Sequence, residues 1–195
     1  RCVAFYNLEN VFDTIHDEGK NDYEYLPDGG MKWTSLKYTN KIQNMAYAIA
    51  QLGTDEDPRG AAIVGVSEVE NIGCLHDLCK ELKEKHNRNY VPILLEGPDR
   101  RGIDVGLLYN PDMFKPVGKP KGYELKAHYA DGGVVRSRLQ LWVSGYMLDD
   151  SRKIVMDKIH ISVNHWPSRS GGEESSRATR DTAAMLVKQV ADSIY

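Results

Sequence analysis

Asn7, Glu68, Asn164 and His165 each stand at or just past the end of an apolar run, and together they offer groups suited to phosphate and metal chemistry. Ile159, Ile161 and Val163 alternate with His160, Ser162 and Asn164, the period-two pattern of a strand with one buried face. Trp166-Pro167 ends that run, because proline cannot donate to a ladder. Asn164 and His165 are therefore expected at the strand's C-terminal mouth, with Arg169 on the loop beyond. Ala61 to Val66 is nearly continuous in apolar residues, as in a strand buried on both faces, and runs into Ser67-Glu68. Cys2 to Leu8 is a short apolar strand ending in Asn7-Leu8-Glu9-Asn10. If these strands lie side by side, an amide, a carboxylate and a histidine converge on one rim. Mg²⁺ and Mn²⁺ prefer oxygen ligands and keep several waters, so one or two carboxylates with a substrate phosphate can hold them. His165 could then hydrogen-bond a phosphoryl oxygen or protonate a leaving oxygen, given a pKa near working pH. A carboxylate commonly orients such a ring, and Asp104, at the start of its own strand, is the candidate.

The elements that must position these groups can be read in order. Asp13 to Gly30 is acidic, aromatic and turn-rich, with Pro27-Asp28-Gly29-Gly30 as a loop signal; it fits no EF-hand spacing and reads as a solvated loop. Thr34 or Ser35 caps a helix whose stripe is Ile42, Met45, Ile49 and Leu52, closed by Gly53. A second helix runs from His76 to His86, while Glu70 and Asn71 read as loop residues. Strands follow at Tyr90 to Leu95, Ile103 to Tyr109, Tyr123 to His128 and Val134 to Met147, with a basic turn between Gly97 and Gly102. A hairpin-type turn at Leu148 to Arg152 leads into Val155 to Asn164. The last helix starts near Glu173 and buries Ala183, Leu186, Val187, Val190 and Ile194. Early βαβ-like units followed by hairpins predict a mixed sheet in an α/β sandwich.

With 195 residues, 41% of them hydrophobic, the chain is one large domain or a piece of one. A formal net charge of −3 gives no basic footprint for nonspecific nucleic-acid binding, so a polyanionic substrate needs a local basic patch or a bound metal. No apolar run approaches a membrane span, and no signal-like segment is present. Cys2, Cys74 and Cys79 lack zinc-type partners, and the latter two read as buried thiols on one helix.

Phe5-Tyr6-Asn7-Leu8-Glu9-Asn10, Val66-Ser67-Glu68-Val69-Glu70-Asn71, Arg101-Gly102-Ile103-Asp104-Val105-Gly106-Leu107-Leu108-Tyr109 and Val163-Asn164-His165-Trp166-Pro167-Ser168-Arg169 occur in this order. In that order the chain resembles the endonuclease/exonuclease/phosphatase superfamily, in particular its bacterial, often exported, members. The resemblance implies a two-sheet mixed α/β sandwich of the deoxyribonuclease type with a metal-dependent site along one edge. It implies that Glu68 binds the divalent cation, Mg²⁺ or Mn²⁺ with Ca²⁺ as a third candidate, and that Asn7 helps position it. It implies that His165 contacts the scissile phosphate, with Asp104 as a weaker match for its partner. Asn164, Arg101, Arg136 and Arg169 are candidate phosphate contacts, since planar guanidinium suits phosphate oxygens; each arginine could equally be a solvated surface charge.

The superfamily's later motifs, a Gly-Asp-x-Asn strand end and a Ser-Asp-His, do not occur in these residues. The expectation is therefore an incomplete domain, residues 1–195, carrying roughly half the catalytic set. The reading is a metal-dependent phosphodiesterase, nuclease-like, acting as a monomer on a phosphoester that could be DNA or RNA, with export expected over a cytoplasmic location. Phospholipid head groups and inositol phosphates are the other substrates, and a half-domain that only binds a phosphorylated partner is the rival.

Overall fold

A computed structural model describes residues 1–128, 132–155, 157–169 and 172–194. Its first sheet joins β1 (Val3–Val11), β2 (Ile63–Val69), β3 (Val91–Leu94) and β4 (Asp104–Tyr109) in the order β1-β2-β4-β3. β1 and β2 are parallel, because α1 (Ser35–Ala50) carries the chain back between them; the other pairings are antiparallel. The second sheet is built on β7 (Gln140–Met147), which pairs with β5 (Phe114–Pro116), β6 (Lys121–Tyr123) and β8 (Ile159–Val163). α2 (Ile72–His86) packs beside α1, and α3 (Glu173–Ile194) closes the described chain. This is the two-sheet mixed α/β sandwich expected from the sequence.

The inner core lies between the sheets, where Ile63, Val105 and Leu107 meet Leu141, Val143 and Val163. A methyl group at Gly65 would come within 3.3 Å of both Phe5 and Val163, so the sheets approach closely there. On the opposite face of the first sheet, Val64, Val66 and Leu108 pack against Ile42, Ala46, Ile49, Leu75, Leu78 and Leu82 of the two helices. β2 is thus buried on both faces, which is what its continuous apolar run requires. Thr34 caps α1 by accepting from Lys37 N, and Asn71 caps α2 by accepting from Cys74 N. Asn71, read as a loop residue, in fact starts the second helix four residues earlier than expected.

Two differences from the sequence reading matter. Residues 134 to 139 are not a regular strand: only Val134 bridges to His128, and the ladder begins at Gln140. In α3, Leu186, Val187 and Ile194 are only half-buried, while Ala183 and Val190 are buried as expected. Cys74 and Cys79 are buried free thiols, as read.

The ends of β1 and β2 depart from regular geometry together. Register shifts occur between Asn7 and Val11 and between Ser67 and Val69, and Glu9, Asn10 and Glu68 all have positive φ, between 56° and 64°. Each such non-glycine residue costs about 1–3 kcal/mol. The flanking Leu8, Val11, Val66 and Val69 are fully excluded from water and contribute roughly 1.5–3 kcal/mol apiece, so packing outweighs the strain and fixes the bulges.

Asp104, at the start of β4, is 1% exposed, and its Oδ1 accepts from Gly97 N at 2.9 Å. Burial raises its pKa from 3.8 to about 7, against the pull of the Gly97 N–H and Lys20. The folded state therefore holds a proton that the unfolded state releases. Stability is full below the unfolded value, 3.8, and falls as pH rises to about 7. The slope is at most about 1.4 kcal/mol per pH unit.

Asp104→Asn keeps an acceptor for Gly97 and cannot ionise. In denaturant melts it is expected to match the parent near pH 4 and to exceed it at pH 8. A parent whose stability is flat across that range contradicts the assignment. At the bulge, Glu68→Gly is expected to be about 1 kcal/mol more stable than Glu68→Ala, because only glycine accepts the positive φ freely. An alanine variant as stable as the glycine one would show that the backbone there is unstrained.

Candidate active site

Glu68 comes from the first sheet and His165 from the segment after β8 in the second, yet His165 Nε2 lies 3.4 Å from Glu68 Oε1. The bulge at Glu68 and the end of β8 thus deliver a carboxylate and an imidazole to one rim of the sandwich, each still partly open to solvent. Asn7 stands beside them: its Cα is paired in register with Ser67, next to Glu68. The Asn7 Oδ1 accepts from Glu9 N at 2.9 Å, which turns the chain into the β1 bulge. Asn164, half-buried, donates from Nδ2 to Ser162 Oγ at 2.8 Å.

Buried polar atoms without partners gather at these residues. Asn10 Oδ1, Ser67 Oγ, Asn164 Oδ1 and His165 Nδ1 all lack a hydrogen bond, as does Arg138 Nε. Each atom left unsatisfied costs about 1–3 kcal/mol, and Gln140 Oε1 and Trp142 Nε1 on β7 are in the same condition.

Asp104 does not orient His165. Its Oδ1 is engaged by Gly97 N, and His165 Nδ1 is unpartnered. Glu68 is instead the carboxylate beside the ring. Burial, then the Arg138 guanidinium, push the His165 pKa below its ordinary value; Glu68 opposes and Arg101 adds to the depression. His165 is accordingly held neutral at pH 7. The neighbouring carboxylate favours the proton on Nε2, facing the rim.

Sequence reasoning did not single out Arg138, Asp99 or Tyr25. Arg138 donates to Trp166 O at 3.3 Å and pairs with Asp99 Oδ2 at 3.2 Å, tying the irregular stretch before β7 to the segment that carries His165. Its signal was an arginine among apolar residues on an expected strand. Tyr25 stacks on Phe12 with ring centroids 4.0 Å apart, and Trp33 Nε1 donates to Phe12 O at 2.7 Å. Those contacts fold the loop from Asp13 to Gly30 against the site, where the Tyr25 hydroxyl feels both Arg101 and Glu68. The loop also docks on the basic turn, through Asn21 N to Arg100 O at 2.7 Å and Lys20 Nζ to Gly97 O at 3.2 Å.

The arginines divide. Arg101 and Arg136 line one cavity of about 480 Å³ with Asp99, Arg100 and Arg138. Arg169 is exposed and sits 4.0 Å from Glu173, a turn away on the surface.

Asp13, Glu70 and Cys74 form a second cluster, with one potential ligand atom each within 4.8 Å of the others. Three of its carboxylate oxygens are already engaged: Glu70 Oε2 accepts from Asp13 N, and Asp13 accepts from Ile15 N and Asn71 Nδ2. Burial raises Glu70 to about 8 and the Cys74 thiol to about 12, so a cation seated there would have to displace both protons. Glu68 offers a carboxylate whose one described polar partner is His165, next to an amide and unpartnered oxygens. That oxygen-rich donor set fits a hard divalent cation better.

No protein with a curated description matches the sequence. Among solved structures, an endonuclease/exonuclease/phosphatase family protein from Bacteroides thetaiotaomicron is similar over 98% of this chain and 58% of its own, at 15% identity and a TM-score of 0.52. A mannosyl-6-phosphatase from the same species is similar over 98% and 59%, at 16% identity and a TM-score of 0.52. A functionally unknown conserved protein from Enterococcus faecalis is similar over 95% and 60%, at 12% identity and a TM-score of 0.50. At such identities the likeness is one of fold, and this chain spans less than two thirds of each structure's length. Residues 2–195 match the sequence pattern of the Endonuclease/Exonuclease/phosphatase family, and the chain belongs to that family.

Proposed function

We propose that the protein is a divalent-metal-dependent phosphoester hydrolase, nuclease-like in its site, and that Glu68 and His165 act on the same phosphoryl group. The observation that carries this is the 3.4 Å approach of His165 Nε2 to Glu68 Oε1 across two different sheets. Glu68, with Asn7 beside it, would hold Mg²⁺ or Mn²⁺. When bound, the cation supplies charge stabilisation to the oxygens of the reacting phosphate. Neutral His165 donates a hydrogen bond from Nε2 to a phosphoryl oxygen or to the leaving oxygen. Asn164, next to His165 in the chain, is held by Ser162 Oγ and has an unpartnered oxygen of its own. Arg138 holds the Trp166 carbonyl and so fixes where the ring stands. The Asp13 to Gly30 loop is pinned near the rim by its aromatic stack.

The test is hydrolysis of bis-p-nitrophenyl phosphate and of single-stranded DNA by the intact protein with Mg²⁺ or Mn²⁺ and with a chelator. Turnover is expected to need the metal and to fall by about a hundredfold or more in Glu68→Gln and in His165→Ala. Turnover unchanged in either variant, or full activity in chelator, would overturn the assignment.

A further inference from the structure

We infer that the arginine cavity beside the site seats a second phosphate group, and that the substrate is a small doubly phosphorylated molecule. This rests on the phosphoester reading above and deepens it. Four arginines, Arg100, Arg101, Arg136 and Arg138, line this one cavity, with Asp99 as the one carboxylate among the described lining residues. Such a concentration stands out in a chain whose net charge is −3. Like charges that face one cavity repel one another, and an anion between them relieves that repulsion.

The guanidinium groups are not equally free. Arg138 is spent on Asp99 and the Trp166 carbonyl, and Arg101 lies 3.7 Å from Asp99. Among the described residues, the side chains of Arg100 and Arg136 make no ion pair or hydrogen bond. They are therefore available as forks for phosphate oxygens, a match that ammonium groups do not provide.

Position sets the partner. Arg138 forms a wall of the cavity and also holds the residue that follows His165. Arg101 reaches the same region, since its charge is felt at both His165 and Tyr25. An anion seated among the arginines would thus neighbour the phosphoester at Glu68 and His165. The basic groups form one concave seat of about 480 Å³, not a stripe. A nucleic-acid backbone is tracked by an extended basic surface, so the seat favours a compact ligand with two phosphates over a polymer.

The test is calorimetric titration of the intact protein in chelator with fructose 1,6-bisphosphate, fructose 6-phosphate and oligothymidylate. The bisphosphate is expected to bind about tenfold or more tightly than the monophosphate, as one charged hydrogen-bonded contact would give. The Arg100→Gln/Arg136→Gln double variant should lose that preference with an unchanged melting temperature, and Glu68→Gln should keep it. Equal affinities, or a preference that survives in the double variant, would overturn the proposal. So would oligothymidylate binding that depends on these arginines where the bisphosphate's does not. Because the readout is binding without metal, a protein that never hydrolyses a phosphoester but keeps the preference sinks only the hydrolase reading. A working hydrolase with no preference sinks only the second seat.

Discussion

The approach of Glu68 to His165 is the constraint on which the arrangement depends. It joins two sheets at their rim, and it exists because β2 does not end as a regular strand. At Glu68 the backbone enters the left-handed region and the ladder to β4 slips between Ser67 and Val69. β1 does the same one strand away, with Glu9 and Asn10 in that region. Neighbouring bulges at one level of a sheet re-aim side chains that a regular pleat would send to the faces. The buried valines and leucines on either side prevent the chain from relaxing the strain.

Electrostatics then separates roles among groups of similar type. Asp104, Glu70 and Glu68 all lie in this part of the molecule, and their surroundings differ. Asp104 and Glu70 are raised by burial and serve as anchors, for Gly97 N and Asp13 N respectively. Glu68 stays partly open at the rim beside a histidine. On the imidazole, burial and the Arg138 charge outweigh the opposing carboxylate, so the ring is neutral. A carboxylate kept accessible and an imidazole kept neutral form a site that can take up a cation and a phosphate.

Much of this was legible in the residues. The uninterrupted apolar run into Ser67-Glu68 gave a strand buried on both faces, and the alternation before Asn164 gave β8 and its mouth. Both patterns report burial, which sequence encodes directly. The left-handed turn at Glu68 was not legible, because glutamate has no preference for it and tertiary packing imposes it. Asp104 lay at the right strand end, but which neighbour it faces depends on how the Gly97 turn folds back. Arg138 escaped because the irregular stretch before Gln140 reads as strand by composition, while its contacts are with the distant Asp99 and Trp166. No helix among the described residues is long and apolar enough to cross a membrane, in keeping with the short apolar runs of the sequence.

The proposed cation site is Glu68 with its amide neighbours, and the Asp13–Glu70–Cys74 group is the alternative. Crystals of the intact protein grown with Mn²⁺, with anomalous diffraction to locate the ion, decide between them most directly. The account predicts an anomalous peak against the Glu68 carboxylate on the His165 side. A peak seated between Asp13 and Glu70, with Glu68 bare, would contradict it.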